Sequence, residues 1–193
     1  MLVQVLEEIP PELMADAQAE VNAIDWDNRP QDPRAKFKVF QHSQTIHIRT
    51  HRRPDDWTPT TINEWSTILE CTDNPATLGQ FPAVLRLADW IYERVGGIKM
   101  GRIMIINLVA RGEVALHIDP LDYFEKHSRY HVPVKTNHRV VFSGGPHTPQ
   151  EHMPYAHLCR LNNRLPHQLT NGSDENRIHI LVDIETPDGN QIF

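Results

Sequence analysis

Residues 165–184 read LPHQLTNGSDENRIHILVDI. His167 opens a short extended run, and Arg177, ten residues later, opens the next strand. On a strand, side chains two apart point the same way. Arg177, His179, Leu181 and Asp183 therefore share one face; Ile178, Ile180, Val182 and Ile184 share the other. The apolar face is expected to pack on a second sheet. The polar face then looks into a cavity with Arg177 deep inside. A buried guanidinium needs an anion, and its planar fork suits a carboxylate. The rival explanation is an ion pair at the rim with Asp174, Glu175 or Asp183.

Outward from this stretch the pattern repeats. RIMIINLVA (102–110), ARGEVALHID (110–119), RYHVPV (129–134), HRVVFS (138–143) and YAHLCRL (155–161) are short apolar or alternating runs set apart by Gly, Pro, Asn and Asp. That spacing predicts an antiparallel sandwich or barrel. SGGPHTPQEHMP (143–154) is a long turn-rich loop of the kind that often forms a lid. The first half differs. Pro10-Pro11 opens a helical pattern through Leu13, Met14, Ala17, Val21 and Ile24. TINEWSTILE (61–70) carries capping-box spacing, and FPAVLRLADWIYERVGG (81–97) is a helix stopped by two glycines. Residues 35–50, AKFKVFQHSQTIHIRT, alternate and suggest a strand pair or hairpin. The organisation expected is a single domain over 1–193, with an N-terminal layer (1–98) packed on a β-core (99–186).

The 193 residues are 39% apolar and 23% charged, enough for one folded core. A net charge of −6 argues against general nucleic-acid binding. Cys71 and Cys159 form no CxxC pair, which points to a reducing compartment rather than a disulfide framework. With no basic leader and no apolar run of about 18 residues, the reading is soluble and cytoplasmic, without a membrane span.

Twelve histidines matter through their positions. In ALHIDPL (115–121), His117 and Asp119 share a face if the segment is extended. One imidazole nitrogen and one carboxylate oxygen, joined by a distant histidine, make a facial triad that leaves metal positions open, as non-haem Fe(II) requires. Arg129, His131 and Pro133 of RYHVPV share a face and offer a second anion site; the alternative is a satisfied polar strand. Basic His47, Arg49, His51, Arg52 and Arg53 either meet an acidic substrate or form a solvated edge. Tyr123, Phe124 and Tyr130 read as packing rather than as a substrate cage.

HxD, a histidine about fifty residues on, and an arginine ten residues after that resembles the order in Fe(II)/2-oxoglutarate dioxygenases. More narrowly, RYHVPVKTN, LNNRLPHQLTNGS and RIHILVDI resemble the aspartyl/asparaginyl β-hydroxylase family, which includes free-proline hydroxylases. The resemblance covers roughly residues 100–186; the preceding hundred carry no such motif. It implies a mainly β fold with flanking helices, a double-stranded β-helix (jelly-roll or cupin-like). It implies His117, Asp119 and His167 as ligands of Fe(II), Arg177 on the distal carboxylate of 2-oxoglutarate, and Arg129 and His131 at the cosubstrate's other end. Asn163 would orient the distal histidine. Asp119 departs from the family's mammalian peptide hydroxylase, which lacks a carboxylate there, and agrees with the free-proline enzymes.

The function so implied is hydroxylation of an unactivated C–H of an amino acid or amino-acid residue of Asp, Asn or Pro type, consuming O2 and releasing succinate and CO2. The partner expected is a small molecule or peptide. A cupin-like metal protein, an isomerase or sensor, would use the triad and leave Arg177 idle.

Overall fold

The structure is a computed structural model that describes residues 1–29, 37–52, 70–119 and 121–189. The expected helix over 61–70 begins outside the described residues, as does Arg53. Among the described residues, ten strands form two antiparallel sheets. The larger is built from β1 (Val3–Glu8), β2 (Ser43–His51), β3 (Cys71–Asp73), β4 (Lys99–Leu108), β6 (His127–Lys135), β8 (His157–Leu161) and β10 (Arg177–Glu185), in the order β1-β8-β6-β10-β4-β2-β3. The smaller is β5 (Glu113–His117), β9 (His167–Asn171) and β7 (Val140–Ser143), in that order. The small sheet covers part of one face of the large one, a double-stranded β-helix as expected.

The other face of the large sheet is covered by two helices. Helix α1 (Pro11–Asn22) starts on a proline whose missing N–H would have had no partner in any case, and buries Met14, Ala17 and Val21. Helix α2 (Pro82–Arg94) also starts on proline, buries Val84, Leu87, Ala88 and Ile91, and stops before Gly96 at φ +66°. Glu20 of α1 accepts hydrogen bonds from the Ala83 and Val84 amides at 2.7 and 3.0 Å, so one helix caps the next.

Here one expectation is corrected. Ile178, Ile180, Val182 and Ile184 do not meet the second sheet; they pack in one cluster with Ala17, Val21, Val84, Leu87 and Ile91 of the helices. Helices bring only apolar stripes, so they take the apolar face. The polar face is left between the sheets, where a site can form. A second cluster, including Leu108, Phe142, Cys159, Leu161 and Leu169, closes the space between the sheets on one side.

The expected hairpin over 35–50 is, among the described residues, a 3-10 turn (Lys38–Phe40) followed by β2 alone. The partners of β2 are β4 and the short β3, both distant in sequence. Strand β1 was not foreseen. The 143–154 loop is anchored near its end: Glu151 bridges to Phe142, and its carboxylate accepts the Leu2 and Val3 amides at 2.7 and 2.9 Å. No helix among the described residues is long and apolar enough to cross a membrane.

Candidate metal centre and its cavity

His117 ends β5 and His167 begins β9, and the two face each other across the strand pair. Asp119 lies just beyond β5, its amide bonded to the Asn163 carbonyl at 3.3 Å. One ligand atom from each of His117, Asp119 and His167 falls within 4.8 Å of the others. In both imidazoles Nδ1 donates to a carbonyl two residues back, Ala115 at 2.7 Å and Leu165 at 2.9 Å. That leaves each Nε2 with its lone pair free for a metal, and fixes the ring plane. His117 Nε2 lies 3.6 Å from Asp119 Oδ1. The other oxygen, Oδ2, accepts from Arg129 Nη1 at 3.0 Å and Asn163 Nδ2 at 3.1 Å. Asn163 thus orients the carboxylate ligand.

Electrostatics prepare the same donors. Burial alone would raise the Asp119 carboxyl, but Arg129 and both histidines hold it well below the usual carboxylate range. Burial draws His167 down towards the neutral form. At His117 burial is outweighed by Asp119, and the imidazole is shifted up. An ionised carboxylate and two imidazole nitrogens are the donor set that suits a divalent transition metal with positions left open.

The triad lines a cavity shared with the polar face of the large sheet, including Arg177, His131, Arg129 and Arg102. Arg177 is 2% exposed. It donates to His179 Nδ1, and its Nε has no partner. The carboxylates that offered a rival explanation are engaged elsewhere: Asp174 by Arg111, Glu175 by Lys135, and Asp183 by Arg102 and Arg129. Burial pulls the guanidinium down to about 9, so at neutral pH it is still a cation, buried and, among the described residues, without a carboxylate. His131 stands beside it, Nδ1 at 3.4 Å from His179 Nδ1, with Nε2 unpartnered. Burial and Arg177 keep His131 and His179 neutral.

Arg129 spends Nε and Nη2 on Asp183, at 2.8 and 3.0 Å, and Nη1 on Asp119. One N–H remains on each terminal nitrogen. Of the basic residues near β2, His47 and His51 line the cavity; Arg49 is turned to Asp73, and Arg52 is largely exposed near Glu70. Tyr123 and Phe124 are fully buried against the guanidiniums, and Tyr130 lies in the helix-side core.

Sequence reasoning missed Arg102 and gave His179 no role. Arg102 had entered only as the first residue of the apolar or alternating run 102–110. Its signal was alternation: counted by twos from Arg102, Met104 and Ile106 line the cavity and Leu108 joins the cluster between the sheets, with Ile103 and Ile105 facing the helices.

Known structures share this architecture. An oxidoreductase of the 2OG-Fe(II) oxygenase family from Burkholderia pseudomallei aligns with 97% of this chain and 85% of its own, TM-score 0.59, at 11% identity. A prolyl hydroxylase from Trichoplax adhaerens, in complex with a hypoxia inducible factor peptide fragment, aligns over 97% and 85% with TM-score 0.61 at 8% identity. The viral collagen prolyl hydroxylase of Paramecium Bursaria Chlorella virus-1 aligns over 96% of both chains with TM-score 0.55 at 8% identity. At such identities the likeness is one of fold, that of the 2-oxoglutarate–Fe(II) oxygenases. The sequence narrows it: residues 12–187 match the aspartyl/asparaginyl β-hydroxylase family, and the chain belongs to that family of dioxygenases. The match reaches well into the first hundred residues, where no motif had been visible. No curated protein sequence matches the chain.

Proposed function

We propose that the chain hydroxylates an unactivated C–H of an amino acid, free or within a peptide, of Asp, Asn or Pro type. Its family supports the reaction class. The observation that carries the cosubstrate is Arg177: a buried cation with no carboxylate of its own, in the cavity that holds the triad. A cupin-like isomerase or sensor has no use for it.

His117, Asp119 and His167 would hold Fe(II), and their donor set fits it. Bound iron and 2-oxoglutarate together supply the oxygen chemistry that yields succinate, CO2 and a hydroxylated product. The protein's part is positioning and shielding. Arg177 binds the distal carboxylate of 2-oxoglutarate through its fork. Arg129, with its remaining N–H bonds, meets the other end, and His131 packs beside it in the cavity. Arg129 and Asn163 hold Asp119 Oδ2, so Oδ1 is presented to the metal in one orientation. Apolar Leu169, Leu181 and Phe142 wall the space and keep water from the reacting atoms.

The test is anaerobic titration of metal-free protein with Fe(II) and 2-oxoglutarate, following the visible charge-transfer absorption of the chelate. Wild type should develop the band; Asp119→Ala and Arg177→Ala should weaken or shift it. Iron binding without any band removes the oxygenase reading and favours the cupin-like one.

A further inference from the structure

With Arg177, Arg129 and His131 assigned to the cosubstrate, one cavity cation is left without a task. Arg102 sits on β4 beside Asp183, at the far end of β10 from Arg177. The register sets this distance: Arg177 faces Leu108 and Val182 faces Ile103. Asp183 lies six positions along the strand from Arg177, about 20 Å at roughly 3.3 Å per residue. The Arg102 side chain is 8% exposed. It is held rigidly: Nε donates to Asp183 Oδ2 at 2.8 Å, and Cζ lies 4.5 Å from the Tyr123 ring centre and 5.2 Å from that of Phe124. Its own amide donates to the Tyr123 hydroxyl at 3.1 Å. Gly101, next to it, leaves the room that this hydroxyl needs, since a Cβ there would strike it.

Asp183 accounts for Arg102 Nε and for the side chain's inward turn, but not for its terminal nitrogens. Arg129 alone already engages both oxygens of that carboxylate. Arg102 Nη2, moreover, is buried and has no hydrogen-bond partner. An unspent buried donor on a charged group is expensive unless a ligand completes it. The charge balance agrees. Among the described residues, with imidazoles neutral, Arg102, Arg129 and Arg177 face Asp119 and Asp183. Fe(II) and dianionic 2-oxoglutarate cancel each other, so one positive charge remains. A single anionic group of charge −1 closes the account, which a carboxylate meets and a dianionic phosphate exceeds.

Resting on the reading above, we propose that Arg102 recognises the substrate, donating to its carboxylate, so that the enzyme takes an acid and rejects the neutral amide. The carboxylate belongs either to the main chain of a free amino acid or to the side chain of an Asp residue. Met104, Thr50 and Phe124 line the cavity with it.

The experiment is anaerobic calorimetric titration of the Fe(II)- and 2-oxoglutarate-loaded protein with acid/amide pairs. L-proline against L-prolinamide tests the free α-carboxylate. N-acetyl-aspartyl amide against its asparaginyl counterpart tests the side-chain carboxylate. Wild type should favour one acid over its amide by about tenfold or more, as a charge-assisted hydrogen bond supplies. Arg102→Gln should erase that preference while 2-oxoglutarate affinity stays within about threefold. Arg102→Lys, which keeps charge without the fork, should restore part of the preference. Absence of acid preference in wild type, including absence of binding by every probe, overturns the proposal. So does loss of 2-oxoglutarate binding in Arg102→Gln equal to that in Arg177→Gln, because Arg102 then serves the cosubstrate. If wild type fails to take 2-oxoglutarate yet an Arg102-dependent acid preference persists on metal-loaded protein, the cosubstrate reading fails and this one stands.

Discussion

Arg129 Nη1 donates to Asp119 Oδ2 at 3.0 Å, tying a candidate metal ligand on a loop to the centre of the large sheet. The same guanidinium grips Asp183 through two further nitrogens. Lysine cannot make this three-point contact, since its ammonium is a point charge on a flexible stem. Arg129→Lys should therefore weaken Fe(II) binding by about 10- to 100-fold, the usual effect of losing a partner of a metal ligand. Anaerobic metal titration checks it; unchanged affinity would show that Asn163 alone orients Asp119.

Arg177 carries a cost when no ligand is present. A buried cation without a carboxylate destabilises the fold, and an apolar residue of similar volume relieves it. Arg177→Met should raise the stability of the ligand-free protein by about 1 kcal/mol or more, a melting shift of about 2–4 °C for a chain of this size. His131 Nδ1, at 3.4 Å, remains to serve His179. The same variant should lose the further stabilisation that 2-oxoglutarate and metal give wild type. Thermal unfolding with and without the cosubstrate reads both effects. A less stable variant would mean that Arg177 is paired more favourably than its contacts indicate.

Asp183 makes the fold sensitive to acid. Burial alone would raise its carboxyl, but Arg129 and Arg102 outweigh burial and bring it from 3.8 down to about 2. As pH falls, the unfolded chain takes up this proton near pH 4, whereas the folded protein resists until about pH 2. The contribution is thus complete above about pH 4 and disappears between about pH 4 and pH 2, amounting to about 2 kcal/mol. Urea unfolding from pH 5 to 2.5 should show this slope in wild type and a shallower one in Asp183→Asn. Equal slopes would assign the acid sensitivity to other carboxylates.

Much of this was legible in the residues because β6 and β10 set polar against apolar side chains at period two, one face apolar and the other lining a cavity. The HxD spacing and the arginine ten residues past His167 carried the candidate site for the same reason. Strand β1 was not legible. Its burial does not alternate, its register shifts between Val5 and Glu7, and it lies at the sheet edge. Strand β3 has three residues and exists through pairing with β2, which periodicity within three residues cannot reveal. The direction of the apolar face of β10 was misjudged because period two separates two faces without saying which layer covers either. Arg102 escaped notice because an arginine at a strand start usually reaches solvent; what turns it inward is Asp183, eighty-one positions away in the chain.

The two sheets carry different tasks. His117 and His167 belong to the three-stranded sheet, whereas Arg102, Arg129, His131 and Arg177 stand on the seven-stranded one. Arg129 links the two, through Asp119; Arg102 on β4 makes no such contact and bonds Asp183 instead. If Arg102 reads the substrate as proposed, descendants of one gene can vary β2 and β4 while inheriting unchanged the strands that carry both candidate ligand histidines.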